Sequence, residues 1–144
     1  HMGYPTLEDE RTILRDRERS NPLDLIGKIM THTDVIELQD MVSEVRFDEV
    51  LVDYLLQIVD ATRKADALEL GISPRGTLAL FRSAQALAFI EGRDYCIADD
   101  IKRLVVPCFA HRIIVNSRIN ALRQRTREAE QVLNEILVKV AVPI

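Results

Sequence analysis

The chain is poor in residues that interrupt or staple a backbone. Five glycines and five prolines in 144 residues leave few turn signals, and the aromatics are only Tyr4, Phe47, Tyr54, Phe81, Phe89, Tyr95 and Phe109. Scarce turns and scarce aromatics favour helices over sheets. Cys96 and Cys108 stand alone among apolar neighbours without a CxxC spacing. That pattern argues against a zinc site or a disulfide, and for buried free thiols in a reducing cytoplasm. His32 and His111 lack a partner at ligand spacing, so no metal site is expected and surface or capping roles suffice for both. No apolar run approaches the roughly 18 residues of a membrane-spanning helix. Neither a signal peptide, a repeat nor a low-complexity segment is visible.

Apolar residues make up 47% and charged residues 29%, the balance of an ordinary globular protein. The length suits a single domain of about 100 to 200 residues. The opening His1-Met2 reads as a cloning remnant, and one helical domain is expected over residues 3–144. A net charge of −4 hides an asymmetry: residues 1–70 carry 8 basic and 16 acidic side chains, residues 71–144 carry 11 and 7. Seven basic residues (Lys102, Arg103, Arg112, Arg118, Arg123, Arg125, Arg127) follow Ile101 with no acid between them. Such a stretch is ordinarily a solvated face that complements the acidic half. Phosphate or nucleic-acid contact is the alternative.

Thr6 followed by Glu8, Asp9 and Glu10 is an N-cap with acids in the first turn, where the helix dipole favours them. A first helix should run to about Arg19, and Asn21-Pro22 should break it. A short helix is expected around Glu37 to Glu44, with Val35-Ile36 and Val45 to Phe47 extended on either side as a very short β pair. The clearest periodicity is Phe47, Val50, Leu51, Tyr54, Leu55, Ile58, Val59 and Thr62, the core-facing stripe of a helix capped by Asp48 and ending near Ala65. Ser73 supplies a capping hydroxyl and Pro74 the first helical position of the next helix, which should end at Gly92. Another helix begins near Asp99-Asp100, with Pro107 expected to break or kink it. A last one covers Ile119 to Val140. The fold class is therefore all-α, a bundle of five to six helices.

Gly71-Ile72-Ser73-Pro74-Arg75-Gly76-Thr77 has the glycine spacing of a phosphate-binding loop, yet its lysine is missing and Pro74 removes a backbone donor. No strand ending in Asp-Glu is present to hold magnesium and position water. This stretch of chain carries no hydrolytic site of its own. The same segment does set Arg75 in the first turn of a helix, where free N–H groups and the dipole attract phosphate. A guanidinium there matches phosphate oxygens bidentately and can register a γ-phosphate, although an ordinary surface arginine would look the same.

Several landmarks in order resemble the lid domain of MoxR-type AAA+ ATPases. Gly3-Tyr4-Pro5 with Glu8, Glu10, Ile13 and Leu14 is similar to the segment leading into that lid. Val59-Asp60-Ala61-Thr62-Arg63 resembles the end of its second long helix. Gly71-Ile72-Ser73-Pro74-Arg75, continuing through Leu78-Ala79-Leu80 and Ala84 to Ala88, resembles its sensor 2 motif. Gly92-Arg93-Asp94-Tyr95, Asp99-Asp100 and His111-Arg112 complete the series.

The resemblance implies a chaperone-like machine driven by ATP and magnesium, both bound mainly by an ATPase core that would lie upstream of these residues. It implies a ring, such as a hexamer, in the cytoplasm, with neighbouring subunits and the domain's own core as partners, and clients with von Willebrand A-type domains. Arg75 would be the sensor 2 residue approaching the γ-phosphate, with Pro74 beside it. Tyr4, Pro5 and Ile13 would line the adenine pocket, or simply pack as a hinge and first helix. Arg63 would either form an ion pair inside the bundle, the reading we favour, or face the nucleotide. Two positions depart from the family pattern. Gly76 replaces the usual alanine, which should loosen the helix by about 0.5–1 kcal/mol, and Ala98 replaces a common capping threonine. The alternative function is an autonomous helical interaction module, because Gly92 to Leu104 also resembles a histone-fold ending. Its DNA-binding variant is opposed by the acidic first half.

Overall fold

The computed structural model describes residues 4–19, 21–116 and 122–143. The readings of His1-Met2 as a remnant, of Gly3 as a landmark, and of a helix from Ile119 to Ala121 lie outside those residues. The chain divides into two compact units, His1–Glu37 and Leu38–Ile144. Among the described residues no helix is long and apolar enough to cross a membrane.

In the first unit, helix α1 (Leu7–Arg19) starts at a reciprocal cap. The Thr6 N–H donates to Asp9 Oδ2 at 3.1 Å, and the Asp9 N–H donates to Thr6 Oγ1 at 3.3 Å. The Thr6 hydroxyl, which donates to Asp9 Oδ2 at 2.7 Å, and then the Thr6 N–H hold the Asp9 carboxyl below its usual range. Asn21 Oδ1 accepts from the Leu23 N–H and so caps a single 3-10 turn, Pro22–Leu25. A second reciprocal cap, Thr31 with Asp34 (2.7 and 3.1 Å), opens helix α2 (His32–Ser43), whose residues from Leu38 onward belong to the second unit. The expected start at Glu37 is therefore five residues late. Val35 and Ile36 are helical, because the Thr31 cap winds the chain before they are reached.

In the second unit, Asp48 Oδ1 accepts from the Val50 N–H at 3.0 Å and starts helix α3 (Glu49–Lys64). Leu51, Tyr54, Leu55, Ile58, Val59 and Thr62 are buried as their spacing requires, while Val50 stays half exposed. Helix α4 (Pro74–Ile90) packs along helix α5 (Ala98–Phe109), and helix α6 (Leu122–Lys139) lies against α3 and α5. Ala84 and Ala88 of α4 are fully buried, their small side chains allowing close approach. Leu80, Ile101, Val105, Phe109 and Leu133 fill the centre. Burying each such side chain is worth about 1.5–3 kcal/mol.

The two-stranded antiparallel sheet does not involve residues 35–36 or 45–47. It pairs β1 (Leu68–Leu70) with β2 (Ile114–Val115). Of the segment expected to be extended, only Arg46 forms an isolated bridge, with Tyr95. Strands of two or three residues are too short for alternation to mark them. Pro107 does not break α5, which continues to Phe109. The proline lies within the last turn, and the buried Phe109 ring anchors the residues beyond it.

The α4–α5 turn is held by Arg93. Gly92 takes the positive φ (76°) of a helix-ending glycine. Arg93 then donates to both oxygens of the fully buried Asp100 (2.6 and 2.8 Å), to Glu91 (2.8 Å) and to the Tyr95 carbonyl (2.9 Å). Asp100 Oδ2 also accepts the Ile97 N–H at 2.9 Å. The start of α5 is thus sealed by its own third residue, with Ile97 as the N-cap and Ala98 as the first helical residue. Cys96, buried beside this cluster, has its thiol pushed up to about 11 by burial and then by the Asp100 charge, against the opposing pull of Arg93.

Arg103 and then Arg93 hold the Glu91 carboxyl below its ordinary 4.5. A carboxylate whose folded value is depressed contributes its full stabilisation above the unfolded value and loses it as pH falls through the folded one. Thermal melts should therefore show Glu91→Gln less stable than wild type at pH 7, the gap closing as pH falls below about 4.5. A gap independent of pH would contradict this account.

Candidate functional site

The segment with phosphate-loop spacing folds as the lead-in and first turn of α4, fastened to the last turn of α3. Thr62 sits at an apolar-stripe position and is fully buried. Its hydroxyl donates to the Val59 carbonyl (2.6 Å) and accepts the Ile72 N–H (3.1 Å). The next residue, Arg63, donates its Nε–H to the Ile72 carbonyl at 2.9 Å. Among the described residues Arg63 has no carboxylate partner, so the expected ion pair is replaced by this backbone contact.

Both glycines have packing reasons. A Cβ on Gly71 would come within 2.8 Å of the Arg63 N and Cα and of the Thr62 carbonyl, so the loop lies directly on the α3 backbone. A Cβ on Gly76 would meet Ile72 Cγ2 at 2.9 Å and Arg112 Cδ at 3.5 Å. Gly76 is buried, and Ile72 is a fully packed β-branched side chain. The glycine at 76 therefore accommodates Ile72; the loosening anticipated from its backbone freedom is offset by this fit.

Above this base Ser73 is the N-cap, its Oγ accepting the Gly76 N–H at 3.4 Å, and Pro74 is the first helical residue. The Thr77 N–H reaches the Ser73 carbonyl at 3.1 Å. Since Pro74 has no N–H, the Arg75 N–H is left as the open donor of the first turn among the described residues. The several free N–H groups expected there reduce to that one. Arg75 itself is exposed, and among the described residues its guanidinium has neither a hydrogen bond nor an ion pair. A planar cation and one N–H at the positive end of a helix form a donor set for anionic oxygens.

Pro74 also borders an open apolar groove of about 500 Å³ between α3 and α4, with Val52, Leu56, Arg63, Thr77 and Phe81. Tyr4, Pro5 and Ile13 belong to the first unit, at and before α1, and all three are exposed. Lys102 pairs with Asp99, Arg103 with Glu91, and Arg112 donates to the Cys108 carbonyl. Arg118 and the Arg123 side chain lie outside the described residues. Sequence reasoning missed the grip of Thr62 and Arg63 on Ile72; its signal was a threonine on an otherwise apolar stripe, followed by an arginine.

A helical bundle of this order, with a fastened Ser-Pro-Arg helix start, defines a class. The chain belongs to the AAA lid domain family, whose model matches residues 60–136. Proteins named MoxR are among its relatives. It is 36% identical to YeaC of Bacillus subtilis over 143 residues, covering 99% of this chain and 44% of that protein. It is 31% identical to the chaperone MoxR1 of Mycobacterium tuberculosis, covering 99% of this chain and 39% of that one. A crystal structure of a "putative ATPase" from Cytophaga hutchinsonii superposes with a TM-score of 0.79 at 31% identity, over 100% of this chain and 46% of that one. The chain thus spans less than half the length of these relatives.

Two substitutions test the fastening. Thr62→Val keeps the shape but strands the buried Ile72 N–H, which should cost about 1–3 kcal/mol in denaturant unfolding. Gly76→Ala, ordinarily stabilising in a helix, should here lower the melting temperature, because Ile72 must move. A rise in that temperature would show that Ile72 yields freely.

Proposed function

We propose that this chain is the sensor-bearing lid of a MoxR-type AAA+ ATPase, closing over ATP and magnesium bound by an ATPase core and coupling hydrolysis to chaperone-like remodelling. The observation that carries the proposal is Arg75: a guanidinium in the first turn of α4, unpaired among the described residues, on a loop tied to α3 by both polar backbone atoms of Ile72. Its donors suit phosphate oxygens and offer magnesium no ligand, so the metal falls to the core. When the lid closes, Arg75 meets the γ-phosphate, and Pro74 fixes the backbone direction from which it reaches. Tyr4, Pro5 and Ile13 are assigned to the adenine side on the resemblance alone. The core and the neighbouring subunits of a ring are the partners, and proteins with von Willebrand A-type domains are the clients; both assignments rest on the same resemblance.

In the full-length protein, Arg75→Ala should lower steady-state ATP turnover by about 1,000-fold or more, the scale on which a γ-phosphate arginine acts. The melting temperature should stay at the wild-type value, since Arg75 is exposed and among the described residues its guanidinium makes no hydrogen bond or ion pair. Wild-type turnover in this variant would reject the sensor role.

A further inference from the structure

Two successive residues at the end of α3 hold the two polar backbone atoms of a single loop residue. Thr62 takes the Ile72 N–H, and Arg63 takes the Ile72 carbonyl. The two grips differ in surroundings. The Thr62 bond is buried, so its loss strands a donor and costs stability. The Arg63 bond is only part-buried and Arg63 itself is exposed, so water can take over the carbonyl if the guanidinium is removed. A contact that water can replace adds little cohesion, but it does set where the carbonyl points. Ile72 is followed by the cap Ser73, the rigid Pro74 and then Arg75, so its orientation sets the axis on which α4 begins. Arg63 also borders the α3–α4 groove beside Pro74 and Thr77, along that same first turn.

We propose that Arg63 is a positioning residue for Arg75: by holding the Ile72 carbonyl it aims the first turn of α4, and with it the sensor guanidinium, at the γ-phosphate. The proposal rests on the sensor reading of Arg75. Arg63 itself touches no nucleotide, and its effect passes wholly through residue 75.

The test is a double-mutant cycle on ATP turnover by the full-length protein, with melting temperature measured alongside. Arg63→Met keeps a stem of similar shape and removes the donor; Arg63→Lys keeps a donor. R63M should lower kcat by about 10- to 100-fold, the penalty for a misplaced group outside the chemistry, with a smaller change in KM for ATP. R63K should recover most of that loss. In an Arg75→Ala background R63M should cause no further fall. An additive fall in that background, or wild-type turnover in R63M, overturns the positioning role while leaving the sensor reading intact. A drop in melting temperature that tracks the lost turnover in both R63M and R63K assigns Arg63 to cohesion and likewise overturns it. Unchanged turnover in Arg75→Ala alone removes the sensor reading, and the positioning role falls with it.

Discussion

The start of α4 depends on the grip of Thr62 and Arg63 on Ile72. An irregular lead-in of three residues must join the end of β1 to the start of α4 without leaving buried polar atoms unmatched. Here α3 supplies the partners. Its final turn presents a hydroxyl to the Ile72 N–H and a guanidinium to the Ile72 carbonyl, and the absent side chain of Gly71 lets the loop lie on the helix backbone. The buried Ile72 side chain then occupies the space left by Gly76, which ties the loop to the helix it introduces. Each contact is modest. Together they leave Ser73 and Pro74 one way to begin α4, and Arg75 follows from it.

The other end of α4 is fixed independently by Arg93, which joins Glu91, Asp100 and the Tyr95 carbonyl. Asp100 is fully buried, so its charge is tolerable only with the fork of Arg93 and the Ile97 N–H upon it. Helix α4 is thus held at its start by α3 and at its end by the first turn of α5. Between these points its alanine face lies against α5. On the proposed sensor reading, a rod anchored at both ends would carry a displacement at Arg75 into the bundle as a rigid movement.

Much of this was legible in the residues alone. The stripe from Leu51 to Thr62 is buried at the positions its spacing demands, and the caps Thr6, Asp48 and Ser73 start helices where their side chains can accept an N–H. What stayed hidden was decided by partners distant in sequence or by elements too short to have a period. The sheet of Leu68–Leu70 with Ile114–Val115 has no alternation to read, and Val35-Ile36 was drawn into α2 by the Thr31 cap upstream. Arg63 misled for a related reason: an arginine on a helix suggests a carboxylate, whereas its partner is a carbonyl nine residues on, placed by a turn that charge patterns do not encode. The glycine pair at 71 and 76 imitated a phosphate loop, but contacts made after folding account for both residues.

The account turns on whether the Arg75 corner answers to the γ-phosphate. The direct measurement is hydrogen exchange across residues 71–78 in the full-length protein, comparing a non-hydrolysable ATP analogue with ADP. The Arg75 amide, the open donor of the first turn, should be protected with the analogue and exchange as in the nucleotide-free protein with ADP. Equal exchange in both states would contradict the account, because a sensor that does not distinguish them senses nothing.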